Sequence, residues 1–117
     1  MRPAPIKPPV SIEVLEKLDI RAGTIRSVEE VAGSRKLVGL TVDFGDHTRT
    51  ILSGMKGERE NLQELVGRQT LFVVNLEPRR MAGLISEGML LDLGAADGIS
   101  PALAVPERPI PDGSRAD

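Results

Sequence analysis

Asn75-Leu76-Glu77-Pro78-Arg79-Arg80-Met81-Ala82-Gly83-Leu84-Ile85-Ser86-Glu87-Gly88-Met89-Leu90-Leu91 is the stretch on which the reading of this chain turns. Before it, Leu71-Phe72-Val73-Val74 is an unbroken apolar run of strand length, and Met89-Leu90-Leu91 opens another. Pro78 has no N–H to donate and stops ladder pairing, while Gly83 and Gly88 open backbone angles closed to other residues. The expected result is a polar, basic connection between two buried strands. Loops held in this way on a rigid scaffold are where binding groups tend to sit.

Working outward, Gln69 to Leu76 reads as a fourth strand and Gly88 to Leu93 as a fifth. Glu58 to Val66 has helical spacing, with Leu62, Leu65 and Val66 on one face, acidic residues near its start and Gly67 as terminator. Further upstream, Val38, Leu40, Val42 and Phe44 alternate with Gly39, Thr41 and Asp43 as a second strand. A hairpin connection through Gly45-Asp46-His47 leads to a third, Arg49 to Ser53. Leu18 to Val31 is a first strand whose inward phase switches after Gly23, a pattern that reads as a bulge. Ser11 is placed to cap a short helical turn through Lys17, with Ile12 and Leu15 on one face. The four prolines of Met1 to Val10 predict an extended arm.

Three strands, a helix between strands three and four, and two more strands is the order of an OB-fold. That is an all-β, five-stranded Greek-key barrel, here with short terminal extensions. The expected divisions are an arm and helical turn over 1–17, the barrel over 18–94, and a C-terminal extension over 95–117 that serves dimerisation.

Composition narrows the chemistry. With no cysteine there is no disulfide, thiolate metal site or cysteine nucleophile, and His47, the only histidine, cannot form a zinc-binding cluster. Glu29-Glu30 and Asp43 with Asp46 are carboxylate pairs, but an acid/base couple needs contrasting surroundings. No phosphate-binding glycine motif is present, so the chain reads as a binding module with no cofactor and no metal, not as an enzyme. No apolar run approaches 20 residues and the N-terminus has no apolar signal core, which predicts a cytoplasmic protein without a membrane partner. The formal charge is −2: residues 1–91 carry 13 basic and 12 acidic side chains, and residues 92–117 carry 2 and 5. The acidity therefore sits mostly in the tail.

Leu18-Asp19-Ile20-Arg21-Ala22-Gly23-Thr24-Ile25, Lys36-Leu37, Leu40-Thr41-Val42-Asp43-Phe44-Gly45 and Arg49-Thr50-Ile51-Leu52-Ser53-Gly54 carry a family likeness. So do Leu65-Val66-Gly67-Arg68, the stretch from Asn75 to Leu91, and the ending Pro106-Glu107-Arg108-Pro109-Ile110-Pro111-Asp112-Gly113. Over residues 18–113 the chain resembles the tRNA-binding domain family. That module occurs at the C-terminus of bacterial methionyl-tRNA synthetases, in the B subunit of phenylalanyl-tRNA synthetase and as small free-standing proteins. The resemblance implies an OB-fold, a homodimer and tRNA as partner, with an aminoacyl-tRNA synthetase as a further one. A close branch is chaperone-like, which gives the alternative: a homodimer that holds unfolded or export-bound polypeptide. The chain departs from the family after Ser53-Gly54, where an aromatic is common and Lys56-Gly57-Glu58-Arg59 stands instead.

Family precedent places RNA contacts at the positions of Asn75, Arg79, Arg80, Ser86 and Met89, with Lys36 and Ser53 as weaker additions. Their chemistry suits the role. A guanidinium forks onto a phosphate, an amide reads a base edge, and a thioether offers a soft apolar platform. The bland readings are solvated loop arginines, a structural asparagine at the Pro78 turn, and a first core residue at Met89. The only aromatics, Phe44 and Phe72, lie in apolar strand patterns and are expected in the core.

Overall fold

The computed structural model describes all of residues 1–117 and is built on one curled antiparallel sheet. β1 (Ile20–Glu30), β2 (Val38–Asp43), β3 (Thr48–Ser53), β4 (Gln69–Val73) and β7 (Met89–Leu90) lie in the order β3-β2-β1-β4-β7. The period of two is obeyed in β2, where Val38, Leu40 and Val42 are fully buried while Gly39, Thr41 and Asp43 are not. They meet Ile25, Phe44, Ile51, Met55, Phe72 and Leu90 in one apolar cluster. Fully burying a side chain of this size is worth about 1.5–3 kcal/mol. Phe44 and Phe72 pack edge to face with ring centroids 5.5 Å apart, so both aromatic rings are spent on the core.

Gly23 turns out to be a packing glycine. A Cβ there would stand 2.7 Å from Val42 Cγ1 and 2.8 Å from Phe44 Cε1. The bulge lies further on: Ile25 faces Val42 but Ser27 faces Thr41, leaving Arg26 as the extra residue. It is there that β1 bends.

The first half of β1 pairs with β4 along one edge, Ile20 with Val73 through Thr24 with Gln69. On the other edge β2 reaches only as far back as Thr24. β10 (Arg115–Ala116) fills the remainder by pairing with Ile20 and Arg21, so this edge of β1 is not left bare. Gln69 clamps the approach, donating to Ile110 O at 2.7 Å and accepting from Ile110 N at 3.1 Å. The Asp112 carboxylate accepts from the Thr24 hydroxyl at 2.6 Å and from the Gln69 amide at 2.9 Å. Much of the tail expected as an extension is thus bonded to its own barrel. Before it, β8 (Asp92–Leu93) pairs with β9 (Ala102–Leu103), so the expected fifth strand is split between two partners.

The helix expected over Glu58–Val66 does not form. A single 3-10 turn, Leu62–Leu65, stands in its place. Asn61 is extended and caps the turn, its side chain accepting from Gln63 N at 3.0 Å, and Val66 is extended again. Gly67 N donates to Ile25 O at 2.7 Å and Ile25 N to Arg68 O at 2.9 Å, so the chain has to reach β1 directly after Leu65. The Leu62–Leu65 spacing suits a 3-10 turn as well as an α-helix. Val66, which a helix would have turned inward, is 42% exposed.

α1 (Ile12–Glu16) buries none of its residues, and the arm before it is exposed throughout. Ser11 takes the N-cap position, though its side chain makes no capping bond. One bond, Ala4 N to Asp97 Oδ1 at 2.6 Å, lays the arm against the 3-10 turn at Ala95–Asp97. No helix is long and apolar enough to cross a membrane.

Candidate nucleic-acid interface

The connection between β4 and β7 is itself a hairpin. β5 (Arg79–Met81) pairs with β6 (Leu84–Ser86), placing Arg79 opposite Ser86, Arg80 opposite Ile85 and Met81 opposite Leu84. Its two-residue turn needs positive φ at both central positions. Gly83 takes +80° without strain, and Ala82, at +49°, is the only non-glycine residue in that region. Directly opposed residues share a face and neighbours in sequence do not. Arg79, Met81, Leu84 and Ser86 therefore face one way, and Arg80 with Ile85 the other. The two adjacent arginines cannot serve one contact.

On the Arg79 face, Leu76, Met81 and Met89 surround a small hollow of about 30 Å³. It has room for roughly one water, so a flat group would lie across it and not in it. Met89 is 40% exposed there. Neither Arg79 nor Arg80 has a carboxylate within ion-pair reach, whereas Arg21 holds Asp19 at 2.8 Å and Arg26 holds Asp43 at 3.0 Å. Both hairpin guanidiniums are free to meet an anion.

Ser86 and Asn75 are committed elsewhere. Ser86 is 3% exposed; its Oγ accepts from Leu52 N at 3.0 Å and donates to Gly88 O at 3.0 Å. Asn75 accepts from Asp19 N at 2.8 Å and donates to Lys17 O at 2.7 Å, joining the end of β4 to the turn between α1 and β1. Its anchor is not the turn at Pro78. Lys36 lies exposed in the β1–β2 connection, where its carbonyl accepts from Lys56 N at 3.0 Å. Ser53 ends β3 opposite Val38. The fold thus gathers Arg79, Ser86 and Met89 at the hollow, sets Lys36 and Ser53 at the end of β3, and turns Arg80 and Asn75 away.

Two residues that the sequence reading did not single out hold the hairpin in place. Glu87 N donates to Thr50 O at 2.9 Å and its Oε1 accepts from Thr50 N at 3.0 Å. Arg49 Nη1 donates to Val74 O at 2.6 Å and to Glu87 O at 3.0 Å. Arg49 Nε donates to His47 Nε2 at 3.0 Å, which places the ring proton on Nδ1, facing Asp46 Oδ1 at 2.6 Å. That His47 bond holds the Asp46 carboxyl below its ordinary range, as the Arg21 bond does for Asp19. No periodicity marks Arg49 or Glu87 in the sequence, because their partners lie 25 to 38 residues away.

A small β-barrel with an exposed cationic hairpin is the architecture of an oligonucleotide-binding module. The family described as "Putative tRNA binding domain" matches residues 20–115, and the chain belongs to it. It is 40% identical over 110 residues to a methionine–tRNA ligase of Bacteroides fragilis, covering 94% of this chain and 16% of that enzyme. A methionine–tRNA ligase of Methanococcus maripaludis is 41% identical over 106 residues, again with 16% of its length covered. The chain thus spans a small part of these curated relatives. Among solved structures, a MetRS related protein from Pyrococcus horikoshii superposes with a TM-score of 0.85 at 31% identity, covering 94% of this chain and 99% of that one. The chaperone CsaA from Bacillus anthracis gives 0.79 at 28% identity, covering 94% and 100%.

Proposed function

We propose that this protein binds tRNA without a catalytic step of its own. In this reading it acts in the cytoplasm as a homodimer and recognises the shape of the folded RNA through the β5–β6 hairpin. The carrying observation is Arg79, a guanidinium with no carboxylate partner beside the apolar rim of Leu76, Met81 and Met89, within a chain of the tRNA-binding family. Both phenylalanines are buried, so neither offers a face on which a base could stack. What remains is guanidinium on phosphate and soft apolar surface under a base. Phosphate contacts carry no sequence, hence recognition by shape. The dimer is supported by α1 and the turn after it, where Ile12, Leu15 and Leu18 stand exposed along a groove of about 590 Å³ shared with Arg115 and Ala116 of β10. A synthetase acting in trans is a further partner in this reading.

The test is a gel-shift titration with bulk tRNA at two salt concentrations. Binding that weakens steeply with salt is expected. Absence of binding at low salt would overturn the reading. A second reading, a homodimer that holds unfolded polypeptide, is favoured by the likeness to the chaperone CsaA of Bacillus anthracis over 94% of this chain. It predicts that the protein suppresses aggregation of an unfolded client and that Arg79→Ala leaves this suppression unchanged.

A further inference from the structure

β3 is the terminal strand of the sheet, and its Thr50 and Leu52 N–H groups point toward the hairpin, where no strand pairs with them. Two consecutive side chains replace the missing ladder: the Glu87 carboxylate takes Thr50 N and the Ser86 hydroxyl takes Leu52 N, each at 3.0 Å. The closing seam of the barrel is therefore made by two side chains and a single backbone bond, Glu87 N to Thr50 O at 2.9 Å. Arg49 bridges the two legs of the excursion, Val74 before the hairpin and Glu87 after it. A hairpin with three residues in each strand is marginal in water by itself, so its direction depends on these ties.

Glu87 is also out of place electrostatically. It is an exposed carboxylate on the segment that carries Arg79, where a negative charge repels phosphate. A structural task explains its presence better than a binding one. We propose that Glu87 and Arg49 are positioning residues that hold the hairpin, and with it Arg79, at a set angle to the barrel. This rests on the RNA-binding reading above.

The experiment uses the full chain, bulk tRNA as probe, and amide hydrogen exchange of the free protein. Glu87→Gln keeps the acceptor oxygen for Thr50 N and removes the charge. It should bind tRNA at least as tightly as wild type, with hairpin amides as protected as before. Glu87→Ala loses the acceptor and should bind about three- to tenfold more weakly, the worth of one net hydrogen bond. Its amides at residues 80–86 should exchange faster while those of β1, β2 and β4 stay protected, which shows that the barrel is folded. Arg49→Gln should repeat the alanine result.

Tighter binding by both Glu87 variants would mean that the carboxylate only repels RNA, and would overturn the proposal. Unchanged hairpin exchange in Glu87→Ala overturns it too. If the alanine variant does not fold, Glu87→Gln decides alone: binding weaker than wild type refutes the role. Wild-type protein that binds no tRNA overturns the RNA reading and this role with it, an outcome separate from those above.

Discussion

The Asn75 amide holds the Asp19 N–H at 2.8 Å while donating to Lys17 O at 2.7 Å, so one side chain fixes the approach of α1 to the barrel. Asn75→Ala should lower stability by roughly 1–2 kcal/mol, two net hydrogen bonds, as read by urea denaturation. Asn75→Asp keeps the acceptor but turns a lone pair toward Lys17 O, and should be no better. Unchanged stability together with lost tRNA binding would instead make the amide an RNA contact.

Arg79 and Arg80 should behave differently because the hairpin separates them. Arg79→Ala should weaken tRNA binding and flatten the salt dependence by roughly 0.7–0.9, the slope of one phosphate contact. Arg80→Ala should do so only if the RNA wraps the hairpin on both faces. A double variant with unchanged affinity and slope would move the site off the hairpin.

Gly23→Ala puts a methyl group 2.7 Å from Val42 and 2.8 Å from Phe44, both buried. The core must shift, at a cost of about 1–3 kcal/mol typical of overpacking. A chemical-denaturation midpoint equal to wild type would show that the core gives way freely.

Ile12→Glu combined with Leu15→Glu should yield monomer, since Ile12 is 65% exposed in the single chain and needs a partner surface to be covered. Light scattering at micromolar concentration reads the outcome. A wild-type monomer under those conditions would sink the homodimer.

Acid and base act on this protein through different groups. Burial, then the Asp92 charge, raise the Glu58 carboxyl above its ordinary 4.5, against the pull of Arg59. A carboxyl raised in the fold contributes stability that is complete below 4.5 and is lost as pH climbs through the folded value. Glu58→Gln should therefore raise the melting temperature at pH 7, with the gain vanishing toward about pH 4. Asp19, Asp43 and Asp46 run the other way. The Arg21 bond to Asp19, the Gly45 N–H on Asp43 and the His47 bond to Asp46 lower these carboxyls below 3.8. Their contribution is present above 3.8 and drains away as pH falls below it. A melting temperature flat from pH 7 to pH 3 in both wild type and Glu58→Gln would contradict both halves.

Legibility followed range. In β2 each residue's face depends only on its neighbours at two-residue spacing, so Val38, Leu40 and Val42 were readable as core. Leu62 and Leu65 gave an ambiguous signal because a three-residue spacing fits two kinds of turn, and a tie from Gly67 to Ile25 chose between them. Gly23 was recognisable as special, but whether it made a bulge or a close approach depended on Val42 and Phe44 across the sheet. The β5–β6 hairpin carries no alternating pattern and turns on an alanine, which hid it.

By itself the sequence determined the all-β barrel, the strand pattern of β1 to β4 and the burial of both phenylalanines. Periodicity, proline and glycine are local instructions, and those features need no others. Tertiary structure alone decided which arginine shares a face with Met89, that Ser86 and Asn75 are tied to backbone, and that residues 115–116 complete the edge of β1. Each of those depends on hydrogen bonds or pairings between residues far apart in the chain. Such a partner is chosen by geometry only once the barrel has closed.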